Sequence, residues 1–525
     1  MSLLDSVNPA FSEADLAELV ARHYGLTGSW KPLPSERDQN ARLKTAEGEF
    51  VVKIANPAED PAQIALQNAT MAHLERMGQA GIPRVRPTLT GSDVARVEVA
   101  GRPAMMRLVT WVAGQPMAEA ARSVEQLAAL GRFMGGVARN LQGFGHPAAF
   151  RPDFPWSLDH VGALRGHAED IADPGRRALV EGLCARYEAQ VLPRLPGLRA
   201  QVLHQDANDW NVIVDPQNPA RIAGVIDFGD MCHGRVVNEL AITLAYALMA
   251  APDIYAATRA LVAGFCEAMP LTEDEAELVY DLARMRLVNS VCLSSRQSKL
   301  HPENDYLLIS QAPAFALLER LDKLDPGFMV ALCRKAAGYE AVRGAGGVVA
   351  DLKARALHPI LKPDPRRAAR MALPTRGERP DMPAFSDRAF DGWFAAQRPR
   401  DLPADLPFLG VGLYGEKRSV YASDQFADAA SAERRTRHLG VDIFAPAGTA
   451  IHAPMAGVVE SVTYNADPLD YGHTLFLRHK TAGGQVFHTL YGHLGGSLPG
   501  LCQPGQRVEA GQVIAHFGDW HENGG

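Results

Sequence analysis

The segment VLHQDANDWNVIVD, residues 202–215, sets a histidine, three aspartates and two asparagines between short apolar runs. A strand buried on both faces excludes such side chains, so the segment reads as two strands joined by a polar corner. Five residues separate Asp206 from Asn211, and RIAGVIDFGD follows, in which Asp227 closes a further apolar strand. Two adjacent strands ending here could gather the oxygens of Asp206, Asn211 and Asp227 around one metal cluster. Phosphoryl transfer asks for that equipment: an acidic group for the attacking hydroxyl, oxygen ligands for magnesium, and a cation on the nucleotide phosphates. The cation has a candidate upstream, Lys53 at the end of the alternating run EGEFVVKIANP.

In that order the motifs resemble the aminoglycoside phosphotransferase and choline kinase superfamily, whose catalytic loop reads HxDxxxxN and whose second metal aspartate opens a DxxD-like segment. The matching residues are His204, Asp206, Asn211, Asp227 and Asp230. The resemblance implies an α+β, protein-kinase-like bilobal fold using ATP and Mg2+. It makes Asp206 the catalytic base or hydroxyl-orienting residue, Asn211 and Asp227 the magnesium ligands, and His204 a support of the loop. Lys53 would grip the nucleotide phosphates. MMRLVTWVAGQPM (105–117) would be the hinge between lobes, with backbone from Leu108 to Trp111 meeting adenine. Two departures stand out. The helix PAQIALQNATMAHLERMG (61–78) carries Gln67 where the superfamily has the glutamate partner of the lysine, with Glu75 as the alternative. The loop LPSERDQNARL (33–43) has no glycine, which leaves Ser35 and the backbone of Glu36 and Arg37 to cover the phosphates. Within the superfamily, SERDQN, VVKIANP, LQNATMAHL and HQDANDWN are most similar to the hydroxylysine kinase branch over about residues 10–350, which points to a hydroxylated amino compound as acceptor. Asp209, Asp215 and His233 are more simply turn or solvated residues.

Around these motifs the chain is mixed in texture. Residues 1–110 read as a helix followed by short alternating strands, a sheet-rich lobe. From 111 to 355 apolar residues recur at three and four spacing, as in VVNELAITLAYALMA (236–250), a helical lobe. Residues 356–405 are rich in proline and arginine without sustained period and read as a linker. From 406 to 525 glycine-punctuated strands predict a small all-β domain.

That last domain holds a second constellation. RHLGVDIFAPAGTAIHAP (437–454) offers His438 and Asp442 four residues apart, which an extended strand would place on one face, and LYGHL offers His493. The stretch resembles the lysostaphin and LytM type of zinc metallopeptidase. The resemblance implies His438 and Asp442 as Zn2+ ligands and His493 as a catalytic acid, base or electrostatic stabiliser. The HxH that closes such a site is absent from the sequence, so the zinc set is incomplete, and the domain reads as truncated. Fusions of this order can continue into a class III aminotransferase module, an expectation for a longer parent protein and not for this chain.

Composition narrows the function classes. With 525 residues, the chain is long enough for two or three domains, and two are expected at the outset. A net charge of −7 gives no electrostatic case for nucleic acid or an anionic membrane, and no apolar run approaches bilayer length. Six scattered cysteines without CxxC spacing predict reduced thiols, and the N-terminus lacks the features of a secretion signal, so a cytoplasmic location is expected, with small molecules or proteins as targets; that the target is a small-molecule hydroxyl is what the kinase resemblance implies. The competing readings are a zinc peptidase with a regulatory kinase-like module and a non-catalytic pseudokinase.

Overall fold

The computed structural model describes residues 8–522 except 36–37, 100, 301–310, 374–378, 380, 384–386, 419–420, 422–435 and 468–469, with backbone alone for 160–165. The chain divides into two compact units, Met1–Ala341 and Val342–Gly525.

Unit 1 opens with helix α1 (Glu13–Tyr24), started by a reciprocal capping box between Ser12 and Asp15 and stopped by Gly25 in the left-handed region. Six strands follow, β1 (Gly28–Leu33), β2 (Gln39–Thr45), β3 (Gly48–Ile54), β4 (Val85–Arg86), β5 (Ala95–Val99) and β6 (Arg102–Thr110), with α2 (Pro61–Arg76) between β3 and β4. They form one antiparallel sheet in the order β1-β2-β3-β6-β4, with β5 also on β6. Alternation in β3 sends Phe50, Val52 and Ile54 into a core with Leu16 and Val20 of α1, so Lys53 stands on the opposite face.

The rest of unit 1 is helical around two small sheets. β7 (Gln115–Pro116) precedes α3 (Val124–Asn140) and α4 (Pro174–Arg186); β8 (Ala200–Leu203), β9 (Val212–Val214), β10 (Ile222–Val225) and β11 (Cys232–Arg235) come next. β9 pairs with β10 and β7, and β8 with β11. Helices α5 (Val236–Met249), α6 (Ile254–Ala268), α7 (Glu273–Leu300), α8 (Gln311–Asp322) and α9 (Pro326–Ala336) complete the unit. α3 and α6 meet where glycine alone fits: a Cβ on Gly131 would stand 2.2 Å from the Leu261 oxygen, and one on Gly264 2.2 Å from that of Ala128. α7 is buried along most of its length, and its charged residues are paired: Glu275 with Arg199 at 2.5 Å and Asp281 with Arg186 at 2.9 Å. The described cysteines are free thiols, five of the six buried.

Unit 2 holds α10 (Ala345–Ala354), β12 (Ala369–Ala372), α11 (Ala389–Ala396), β13 (Phe408–Gly412) and β14 (Asp442–Phe444). After them come β15 (Ala450–His452), β16 (Gly457–Asn465), β17 (Gly472–Lys480), β18 (Val486–Leu494), α12 (Leu498–Leu501), β19 (Arg507–Val508) and β20 (Val513–His516). The sheets run β12-β13-β14, β15-β20 and β18-β17-β16-β19. Two expected boundaries differ here. Residues 342–355, expected in the helical lobe, belong to unit 2, where Asp351 accepts from the Ala482 N–H at 3.0 Å and Arg355 donates to the Lys480 oxygen at 2.8 Å. The stretch 356–405, expected as a linker, is built into the same unit: β12 pairs in parallel with β13, and Phe394 of α11 stacks on Phe408 at 5.1 Å. Its proline and arginine content hid an apolar face whose partners lie far along the chain. Among the described residues, no helix is long and apolar enough to cross a membrane.

Candidate active site

β8 ends at Leu203 and β9 begins at Val212, so the loop between them sits where the two small sheets meet. Asp206 is gripped from three directions. Asn208 Nδ2 donates to both carboxylate oxygens at 3.1 Å, Asn211 Nδ2 to Oδ2 at 2.7 Å, and Arg286 Nη2 of α7 to Oδ1 at 2.9 Å. The Arg286 side chain is only 2% exposed, against 16% for Asp206, and it lies over Trp156 at 4.6 Å with its Nε donating to the Tyr246 hydroxyl at 3.2 Å. Burial first, then the neighbouring Asp230 carboxylate, pushes the Asp206 carboxyl well above the usual range; Arg286 pulls the other way.

The loop is braced from beneath. His204 is fully buried, its Nε2 3.1 Å from the Ile226 oxygen and its Nδ1 accepting the Asp206 N–H at 3.3 Å. Burial lowers the imidazole to about 4, so it stays neutral at physiological pH, donating from Nε2 and accepting at Nδ1. Gln205 has φ of 66°, a left-handed conformation unusual outside glycine, and its N–H is held by Glu239 Oε2 at 3.1 Å. Burial raises Glu239 to about 7.

Asp227, also left-handed with φ of 61°, is tied to the same corner because the next peptide back, Ile226, donates its N–H to the Asn211 oxygen at 2.9 Å. The structure thereby brings Asp206, Asn211 and Asp227 together. Asp227 is exposed, and its Oδ1 accepts from the Gly229 N–H at 3.1 Å. The nearby Lys53 ammonium holds its carboxyl below the usual range. The donor set suits a hard cation: Asn211 spends its NH2 on Asp206, which leaves its Oδ1, and Asp227 keeps Oδ2. Asp230 adds negative charge close to Asp206.

On the sheet lobe the arrangement departs from the expected lysine and glutamine pair. Gln67 is bonded to Arg107 of β6 instead of to Lys53; its Oε1 accepts from Arg107 Nη2, and Asn68 Oδ1 accepts from Nη1 at 2.7 Å. The longer guanidinium reaches the helix amides first. Glu75, the alternative partner, is exposed and faces Arg84 at 3.7 Å. Ser35 is exposed, and its hydroxyl accepts from the Asp38 N–H at 3.3 Å; Glu36 and Arg37 lie outside the described residues. Leu108 is a core side chain whose backbone stands between Val52 and Arg86. The Trp111 N–H is taken by the Glu49 oxygen at 2.9 Å, while its ring carries the Arg42 guanidinium at 4.2 Å. Strand pairing thus uses the backbone expected to meet adenine. Asp209 is paired with Arg122 at 3.0 Å, Asp215 with Arg221 at 3.0 Å, and His233 stacks on Phe150.

In unit 2, His438 and Asp442 do meet, Nε2 to Oδ1 at 3.2 Å, but through a bend at Gly440 and not along one strand face. The pair is already engaged by neighbours: Tyr421 hydroxyl stands 2.9 Å from His438 Nδ1, and Arg418 Nη2 lies 2.5 Å from Asp442 Oδ2 and 2.9 Å from Glu416. A guanidinium against the carboxylate opposes a second cation there, and no group of three metal-capable side chains occurs among the described residues. These residues do not complete a zinc site. His493 lies on β18, exposed, with φ of 58° and its N–H on the Tyr471 oxygen at 2.7 Å.

Sequence reasoning missed Arg107, Asn208, Glu239 and Arg286. Asn208, two residues from Asp206, was within reach of a local reading; the other three act across 34 or more residues of chain.

Comparison with known proteins adds a family to this geometry. Residues 29–278 match the model of a phosphotransferase enzyme family, and residues 436–525 that of peptidase family M23. Hydroxylysine kinase of Danio rerio is 33% identical over 332 residues, covering 60% of this chain and 93% of that protein. The Mus musculus hydroxylysine kinase is 30% identical over 340 residues, covering 60% and 90%. Solved structures that align include a microcompartment-associated aminopropanol kinase (19% identity, 63% of this chain and 100% of that one, TM-score 0.45). The amicoumacin kinase hAmiN also aligns (15% identity, 60% and 95%, TM-score 0.47).

Proposed function

The chain belongs to the phosphotransferase enzyme family and is a small-molecule kinase, and from that premise we propose that unit 1 transfers the γ-phosphoryl group of ATP, with Mg2+, to the hydroxyl of a small amino compound such as hydroxylysine. The observation that carries this reading is the corner itself. A carboxylate fixed by three donors, Asp206, stands beside two oxygen donors, Asn211 and Asp227, with Lys53 acting on the latter. Asp206 orients the acceptor hydroxyl and receives its proton. Its raised affinity for a proton suits the second task, and its four hydrogen bonds from three side chains suit the first. Asn211 and Asp227 would hold the magnesium ion, which when bound neutralises charge on the phosphates. Lys53 steadies the phosphates, and adenine would meet the hinge backbone near Leu108 to Trp111 at the groups that strand pairing leaves open. Ser35 stands on the loop proposed to cover the phosphates.

Because the carrying observation lies wholly in unit 1, the domain division that accompanies this reading is a kinase body ending near Ala341. The relatives' name, hydroxylysine kinase, supports the substrate class. The test is ATP consumption by the purified chain over a panel of hydroxylated amino acids and amino alcohols, with and without Mg2+. Magnesium-dependent turnover is expected with hydroxylysine or a close analogue; failure on the whole panel would remove the acceptor class, and absence of any ATP turnover would remove the activity.

A further inference from the structure

Lys53 and Arg107 are directly opposite each other on the antiparallel strands β3 and β6. Opposite residues share one face of the sheet with their Cβ atoms about 5 Å apart, and like charges so placed repel. Arg107 is also buried, with 7% of its surface exposed. A buried guanidinium ordinarily has a carboxylate partner. Among the described residues Arg107 makes no ion pair; its two terminal nitrogens are held by the neutral side-chain oxygens of Gln67 and Asn68 on α2. Those two bonds fix its plane without neutralising its charge and engage two of its five N–H donors. The carboxylates that act on it, Asp227, Asp38 and Glu59, do so at longer range, and Asp227 is the one that Lys53 also faces.

We propose that Arg107 is a second cation of the nucleotide-phosphate site, standing beside Lys53 and held by a pair of amides in place of a lysine–glutamate pair. The proposal rests on the reading of unit 1 as an ATP-dependent kinase. It accounts together for the like-charged cross-strand pair, for the neutral anchors, and for Gln67 at the position where the family resemblance calls for glutamate. A carboxylate at 67 would bind Arg107 and cancel the charge that a polyphosphate needs.

Gln67→Glu therefore gives the sharpest test. Thermal unfolding of the nucleotide-free protein and calorimetric titration with ATP, ADP and AMP are measured on wild type, Q67E, R107K and R107Q. Q67E is expected to unfold at the same or a higher temperature than wild type while binding ATP about 10- to 100-fold more weakly, the worth of one charge-assisted bond. AMP, with the fewest phosphates, should change least. R107Q should lose as much as Q67E and R107K less. A folded Q67E and a folded R107K that both bind ATP as wild type does would overturn the proposal and leave Arg107 a packing residue. A wild-type protein that binds no ATP would overturn the kinase reading with it.

Discussion

The corner at Asp206 and the bend at His438 look alike in sequence, each a short spacing of histidine and carboxylate flanked by strands, but the structure completes them differently. Around Asp206 the neighbours are donors and a braced loop: Asn208, Asn211 and Arg286 hold the carboxylate, while Asn211 and Asp227 keep oxygens to spare. Around Asp442 the neighbour is a cation, Arg418, on the very carboxylate that would bind metal. A short motif therefore specifies a site only when the groups packed against it leave its chemistry unspent. In unit 1 they do, and in unit 2 an arginine has taken it.

Substitutions at four positions probe that contrast. The largest effect belongs to Asp206→Asn, which keeps the size of the side chain but turns one accepting oxygen into an NH2 donor and removes the proton acceptor. Turnover should fall by about 10²- to 10⁴-fold with ATP binding retained by calorimetry; a variant that turns over normally would dissolve the contrast. Next is Arg286→Met, in which Asp206 loses its buried donor from α7. Here kcat should drop about 10- to 100-fold with KM for ATP unchanged, and Arg286→Lys should recover part of it. Equal, unrecovered losses in both parameters would mean a folding defect.

Glu239→Gln sharpens the bracing of the loop. Because burial raises Glu239 from the usual carboxyl range to about 7, the folded protein holds a proton that the unfolded chain has released. Stability should therefore decline as pH rises from about 4.5 to 7, once the unfolded form ionises and before the folded form does. The glutamine variant should lack that decline, matching wild type near pH 4 and exceeding it near pH 8 in thermal melts. Smallest is Asp442→Ala: phosphoryl transfer should stay within about twofold of wild type, as for independent sites. The purified chain should carry well under one zinc per molecule by elemental analysis. Stoichiometric zinc lost in this variant would show that Arg418 yields its place, and the two corners would be equals.

Much of the kinase body was legible because its signals are local. Lys53 ends an alternating strand, and Asp206, Asn211 and Asp227 lie within 22 residues in a polar corner that no buried strand would carry. The fold follows from the same alternation, which sends Phe50, Val52 and Ile54 inward and turns Lys53 outward. Gln67 was legible as a departure but not in its consequence. Arg107 and Arg286 left no signal, since a lone arginine in an apolar strand or helix has the same pattern whether it is structural or functional. The boundary near 341 was missed because composition marked 356–405 as a linker, whereas Leu361 and Ala368 join the core of the folded unit and Phe390 and Phe394 pack on Phe444 and Phe408, distant in the chain.

The sequence by itself determined the local chemistry: which residues could orient a hydroxyl, hold a divalent cation and face a phosphate, and that the last 90 residues bear a metallopeptidase-like pattern. Only the tertiary structure decided which of those groups are free to act, because that depends on charges brought from afar. Arg286 reaches Asp206 across 80 residues, Arg107 draws Gln67 away from Lys53 across 40, and Arg418 reaches Asp442 across a bend. Coulomb forces depend on distance in space, and chain separation does not report it.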